Sequence, residues 1–308
     1  MSIEKSPFGT TADGTAADLY TLTNASGGVC KITNYGGITT DRMCRTRVAR
    51  MPMWCSALKA GGLRGEDRIS AASPTATATG SPRAKFTLDG MNTRLATNNN
   101  ENHRTAARSA STRKSGRRRR SRRKMPLASV HYTSPDGEEG YPGELNRGHR
   151  HLLNDNALRT DAMRDHPDKP TVVNLTHHSY FNLAGAGSGT ALDHELQIVH
   201  LDSITRRPMP AGIPTGGFLP VKGTPFDFNN PPASASVIES DHEQIKFGLG
   251  YDHNWVLQNQ SGDLVLAATL IDPQSSRTME VLTTEPGIQF YTGNYLDGSP
   301  DRKGRQGS

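Results

Sequence analysis

No apolar run in this chain reaches the roughly 18 residues that a membrane-spanning helix needs, and the opening MSIEKSPFGTTADG lacks the apolar centre of a secretory signal. Cysteine is scarce. Cys30, Cys44 and Cys55 make an odd count without metal-ligand spacing, which argues against a disulfide scaffold or a zinc module and predicts a reduced, cytoplasmic setting. Hydrophobic residues make up only 33% of the 308 positions and aromatics 6%, and mean hydropathy is -0.63. These values are low for a β-rich domain of this length, so part of the chain does not contribute to a core. No internal repeat of fixed period is visible. The length is compatible with one large domain.

What is present is concentrated in a few short segments. Asn174 to Gly185, NLTHHSYFNLAG, sets paired histidines, a tyrosine and amides into an apolar frame of Val172, Val173, Leu175, Phe181 and Leu183. Imidazole titrates near neutral pH and can exchange a proton with a sugar oxygen or an ester. His177 and His178 read equally as hydrogen-bonded core or edge residues. Gly250 to Leu257, GYDHNWVL, places Asp252 and His253 beside Trp255, and an aromatic face next to hydrogen-bonding groups suits a polyhydroxylated ring. Thr284 to Gly298 adds Glu285, Gln289 and Asn294. Trp255 reads first as a core residue, and Glu285 as part of the turn before Pro286.

Alternation predicts strands over Asp18 to Thr23, Lys31 to Asn34, Thr171 to Leu183, Glu195 to His200, Asn254 to Gln258, Leu264 to Ile271, Met279 to Thr284 and Ile288 to Tyr291. Turn-rich clusters such as Pro208 to Gly217 separate them, and no amphipathic helix longer than a few turns is apparent. The fold class is all-β, antiparallel, with long loops.

Taken in order, these segments resemble the aldose 1-epimerase (galactose mutarotase) family. The supporting stretches are LYTLTNASGG with ITNYGG near the start, then AKFTLDG, YTSPDGEEGYPGELN, HSYFNL, TPFDF, GYDHNW and GIQFYTGNYLDG. The resemblance implies a single β-supersandwich domain with a sugar cleft, incomplete in this chain. It also implies interconversion of the α and β anomers of a free hexose by acid and base catalysis, with no cofactor or metal, no nucleic acid and no membrane. By motif, His178 is the acid at the ring oxygen, and Asp252 and Gln289 bind the substrate. Three parts of the family pattern are missing. The His-Gly-Gly histidine is absent and His103 does not replace it, the Asn-Arg pair before AKFTLDG is absent, and so is the general-base glutamate of a downstream Leu-Glu-Thr-Gln motif. The chain is therefore expected to be truncated at its C-terminus and to have little or no mutarotase activity. A non-catalytic carbohydrate-binding relative is the alternative reading.

Two stretches, about 41–83 and 104–124, lose strand alternation and are rich in Arg, Ser, Ala and Thr; disorder or a shifted reading frame is the expectation for both. The second ends in SGRRRRSRRK, whose cationic residues exceed the whole net charge of +6. Read literally, this run is a nucleic-acid-binding arm, but it has no interleaved aromatics for base stacking. A shifted frame explains both stretches. Codons for MPMWCSALK, read one base out of step, can spell the strand-like Ala-Asp-Val-Val-Leu-Gly-Phe-Glu. Codons after His103 can likewise restore Leu-His-Gly-Gly. Arg147 to Leu153 is a third candidate. Resequencing the coding DNA tests this: the strands are expected in the alternative frame, and codons that cannot encode them would refute it.

Overall fold

In the computed structural model, the described residues are 2–11, 14–45, 50–56, 81–98, 100–103, 117–118, 127–154, 158–164, 167–185, 187–199, 201–205, 214–229, 233–234, 238–258 and 261–294; for 44–45, 50–56, 117–118, 162–164, 201–202 and 233–234 this means the backbone alone. The chain divides into two compact units, Met1–Ala186 and Gly187–Ser308. Both are built almost entirely of antiparallel strands.

Unit 1 contains β1 (Ser2–Thr10), β2 (Ala16–Thr23), β3 (Val29–Thr33), β4 (Thr39–Arg45), β5 (Arg50–Ser56), β6 (Lys85–Leu88), β7 (Met91–Arg94), β8 (Arg117–Arg118), β9 (Leu127–Ser134), β10 (Leu145–Leu153), β11 (Leu158–Arg164) and β12 (Tyr180–Asn182). They form a six-stranded sheet in the order β1-β2-β3-β4-β5-β12, a four-stranded sheet β11-β10-β9-β8 and the hairpin β6-β7. Alternation along β2 and β3 turns Tyr20, Leu22, Cys30 and Ile32 inward, where they pack with Ala128 and Leu153 of the second sheet. The β2–β3 turn is held by Asn24. Its Oδ1 accepts from the Gly28 N–H at 2.6 Å, and its Nδ2 donates to the Asn154 carbonyl at 2.7 Å. Gly36 and Gly37, with φ of 66° and 69°, let the chain reverse between β3 and β4 in a conformation that side chains resist.

The first irregular stretch begins within a sheet. Strands β4 and β5 run through 41–45 and 50–56, while 57–80 lies outside the described residues, as does the irregular stretch 104–124 apart from the backbone of β8. Arg147 to Leu152 pairs residue by residue with both β9 and β11, and Leu153 with β11. The run Thr171 to Leu183, predicted as one strand, contributes only Tyr180–Asn182 to a sheet. In the stretch before it, His177 meets the side chains of Thr39 and Ser179 instead of joining a ladder.

Unit 2 contains β13 (Glu195–Ile198), β14 (Leu201–Thr205), β15 (Phe218–Pro220), β16 (Ala233–Ser234), the short helix α1 (Glu243–Gly248), β17 (Asp252–Leu257), β18 (Val265–Asp272), β19 (Arg277–Thr283) and β20 (Gly287–Tyr291). Two four-stranded sheets result, β16-β13-β18-β19 and β15-β14-β17-β20. Their core centres on Trp255, which is fully buried among Phe226, Phe228, Tyr251 and Phe290 with ring centroids 5.3 to 6.1 Å apart. The indole N–H donates to the Phe226 carbonyl at 3.0 Å, and the buried Tyr251 hydroxyl donates to the Pro225 carbonyl at 2.6 Å. TPFDF thus works as backbone support for GYDHNW. No helix among the described residues is long and apolar enough to cross a membrane.

Two substitutions test this packing. Trp255→Ala is expected to destabilise by about 3–5 kcal/mol, because it removes a filled aromatic centre. Gly140 has φ 88°, and a Cβ there would stand 2.4 Å from the Arg94 carbonyl oxygen and 2.9 Å from the Leu95 Cα. Neither of those backbone atoms can step aside, so Gly140→Ala is expected to cost more than about 2 kcal/mol. Denaturant midpoints of the two variants measure both effects.

Candidate functional site

In unit 2 the segment leading to Asp252 is fixed by its backbone. Helix α1 is capped at its start by His242, whose Nδ1 accepts from the Gln244 N–H at 3.2 Å. It ends at Leu249 in the left-handed region (φ 54°), and Gly250 follows at φ 129°. Asn294, just past β20, donates through Nδ2 to the carbonyls of Gly248 and Tyr251, both at 2.8 Å. Thr292 Oγ1 accepts from the Tyr251 N–H at 3.1 Å. Gly248 and Tyr251, which precede Asp252, are therefore tied to the end of β20 by main-chain and side-chain bonds. Asn294 holds a loop here.

From that mount β17 alternates strictly. His253, Trp255 and Leu257 are buried, whereas Asp252, Asn254 and Val256 lie on the opposite, partly exposed face. Strand β20 pairs with it antiparallel, Asp252 opposite Tyr291 and Asn254 opposite Gln289. Asp252 and Gln289 are thus diagonal neighbours on one face, and Gln289 Nε2 donates to Asp252 Oδ1 at 2.8 Å. The Asp252 carboxylate supplies acceptors, and the Gln289 amide supplies a second N–H donor and an acceptor oxygen, a combination suited to vicinal hydroxyls. Glu285 lies exposed in the turn before β20, where its N–H donates to Thr283 Oγ1 at 3.1 Å.

The histidine motif belongs to unit 1. His178 is half-buried, and its ring lies 5.3 Å from that of Tyr180, centroid to centroid. His177 Nε2 lies 3.1 Å from Ser179 Oγ and 3.4 Å from Thr39 Oγ1. Two further histidines stand nearby that the sequence reading did not single out. His149 and His151 share the buried face of β10 with Leu145 and Leu153, their rings 6.2 Å apart, and the His151 ring is 6.3 Å from that of His177. His151 Nδ1 lies 3.2 Å from Thr160 Oγ1, but His149 Nδ1 and His151 Nε2 are buried without a hydrogen-bond partner among the described residues. The signal in the sequence is parity: Leu145, His149, His151 and Leu153 share one face of a strand.

Burial disfavours the charged form of these rings. It pushes His149 down to about 4, helped by His177 and Arg147, and holds His151 well below the usual histidine range. His177 also falls to about 4, through burial and then His178, although part of its surface meets solvent. No group of three or more His, Cys, Asp or Glu among the described residues is arranged to hold a metal.

Solved structures share this fold. The galactose 1-epimerase of Lactobacillus acidophilus superposes with a TM-score of 0.83 over 97% of this chain and 85% of its own, at 24% identity. The GalM/aldose epimerase homologue of C. elegans gives 0.78 over 90% and 82%, at 19% identity. At those identities the likeness defines the class of fold, a galactose mutarotase-like β-sandwich. The sequence narrows it further: the aldose 1-epimerase family pattern matches residues 18–307, and the chain belongs to that family. The galactose mutarotase of Sus scrofa is 38% identical over 229 residues, 73% of this chain and 62% of its own length. The aldose 1-epimerase of Escherichia coli (strain K12) is 37% identical over 170 residues, 55% and 48% respectively. The chain thus spans less than two thirds of these relatives.

The imidazole layer sets an acid limit on unit 1. The folded His149 value lies below the unfolded value near 6.5, so the unfolded chain takes up the proton first as pH falls. The neutral ring's contribution is complete above about pH 6.5 and is lost progressively as pH drops toward 4, by roughly 3 kcal/mol for His149. Urea midpoints taken from about pH 7 down to about pH 4 are expected to fall over that window. His149→Phe, which keeps the bulk, is expected to flatten the fall.

Proposed function

We propose that this chain binds a free aldohexose such as galactose or glucose, and that its family chemistry is interconversion of the α and β anomers. The observation that carries this reading is the Asp252–Gln289 pair, an oriented carboxylate and amide on neighbouring strands. The family match across residues 18–307 supports it. Asp252 and Gln289 accept from and donate to the sugar hydroxyls. His178 delivers a proton to the ring oxygen while a base removes the one on the anomeric hydroxyl, so the hemiacetal opens to the aldehyde. Rotation about the first carbon–carbon bond, followed by reclosure, inverts the centre. Only protons move between protein and sugar in this scheme, so no redox group enters it.

Turnover by this chain is proposed to be slow relative to binding. Ser81-Pro82-Arg83-Ala84 stands where the family carries its Asn-Arg pair before the Lys85 strand, and no His-Gly-Gly follows His103. Binding without turnover is therefore the second reading, favoured by those two internal differences.

Calorimetry with galactose and polarimetry of α-D-galactose separate the two readings. Saturable heat is expected, and Asp252→Ala is expected to weaken it at least about tenfold by removing the acceptor that Gln289 orients. Any acceleration of the rotation change is expected to fall by about a hundredfold or more in His178→Asn. Absence of galactose heat in the full chain would refute the hexose reading.

A further inference from the structure

The Asp252–Gln289 pair has a neighbour that could break it. Asn254 stands directly opposite Gln289, on the same face and two residues from Asp252. Its amide offers Gln289 both a donor and an acceptor, and directly opposed residues are the closest pair on a sheet face. Yet Gln289 leans along the diagonal to Asp252, and Asn254 leans along the other diagonal, over Gly287. A Cβ built on Gly287 would stand 2.8 Å from Asn254 Oδ1 and 3.4 Å from Nδ2, and 3.2 Å from the Trp255 carbonyl oxygen. The first distance is too short to exist, and the atom in the way is the end of a side chain free to rotate. The backbone of Gly287 is not in the left-handed region, so conformational freedom does not explain the glycine.

We propose that Gly287 is a positioning residue for the hexose site: the space it leaves seats the Asn254 amide away from Gln289, so that Gln289 remains committed to Asp252. This rests on the hexose-binding reading for its consequence, but the arrangement itself belongs to the sugar-free protein. Neither Gly287 nor Asn254 touches the sugar in this scheme. With a methyl group at 287, the Asn254 amide rotates off its seat toward Gln289 and competes for its hydrogen bonds. The acceptor on Asp252 then loses its fixed orientation.

The test uses Gly287→Ala, the double variant Gly287→Ala with Asn254→Ala, and Asn254→Gln, which outgrows the seat while leaving Gly287 intact. Two signals are read on the full chain: the Gln289 side-chain amide resonance in 15N-labelled protein without sugar, and galactose affinity by calorimetry. Gly287→Ala is expected to shift the resonance and to weaken galactose about tenfold, as loss of one oriented hydrogen bond does. Removal of the Asn254 side chain in the double variant is expected to restore both, which a merely structural glycine would not permit. Asn254→Gln, should Gly287→Ala fail to fold, is expected to shift the same resonance. An unchanged Gln289 resonance in Gly287→Ala or Asn254→Gln, or a double variant as weak as the single one, overturns the proposal. If the resonance shifts and recovers while no variant, including the unsubstituted chain, binds galactose, the positioning role stands and the hexose reading fails.

Discussion

The pairing of β17 with β20 is the constraint on which the site depends. Because side chains alternate across a strand, one register decides two things together. It directs Trp255 and Phe290 into the aromatic core and sets Asp252, Asn254 and Gln289 on the opposite face. A slip by one residue would expose the indole and bury a carboxylate, and both changes are costly. The site is thus held in place by the same packing that stabilises unit 2, together with the loop that leads into Asp252.

Unit 1 has a different interior. Aliphatic residues of β2 and β3 fill one part of the space between its sheets, while His149 and His151 occupy positions on β10 that a sandwich ordinarily gives to Val, Ile or Leu. Imidazole packs acceptably when neutral. Buried ring nitrogens of His103, His149 and His151 nevertheless lack partners among the described residues, and each such group costs on the order of 1–3 kcal/mol relative to a bonded one. The unit therefore holds together with less margin than its strand pairing alone suggests.

Much of the sheet architecture was legible from alternation. Asp18 to Thr23, Leu264 to Ile271 and Ile288 to Tyr291 each lie within a residue or two of the strands that form. Strand β1 was not legible, since Ser2–Thr10 lacks alternation and carries Pro7 and Gly9 at a register irregularity on a sheet edge. Strand β10 was missed because histidines take apolar positions, and the run from Thr171 was read as too long a strand because apolar content says nothing about hydrogen-bond partners. Motifs brought out Asp252 and Gln289 as separate ligands, but their mutual bond needs the register, which no linear spacing reveals. Trp255 and Asn294 lie next to those residues in the sequence and belong to the framework.

The two bonds from Asn294 to carbonyl oxygens at 248 and 251 have a consequence for sequence variation. Carbonyls are common to every residue type, so the clasp does not depend on which side chains α1 carries. Helix α1 can diverge in its exposed positions so long as its final turn ends in the same left-handed step, and the carboxylate beyond it keeps its bearing. Drift should therefore collect in the helix and stay low at the asparagine.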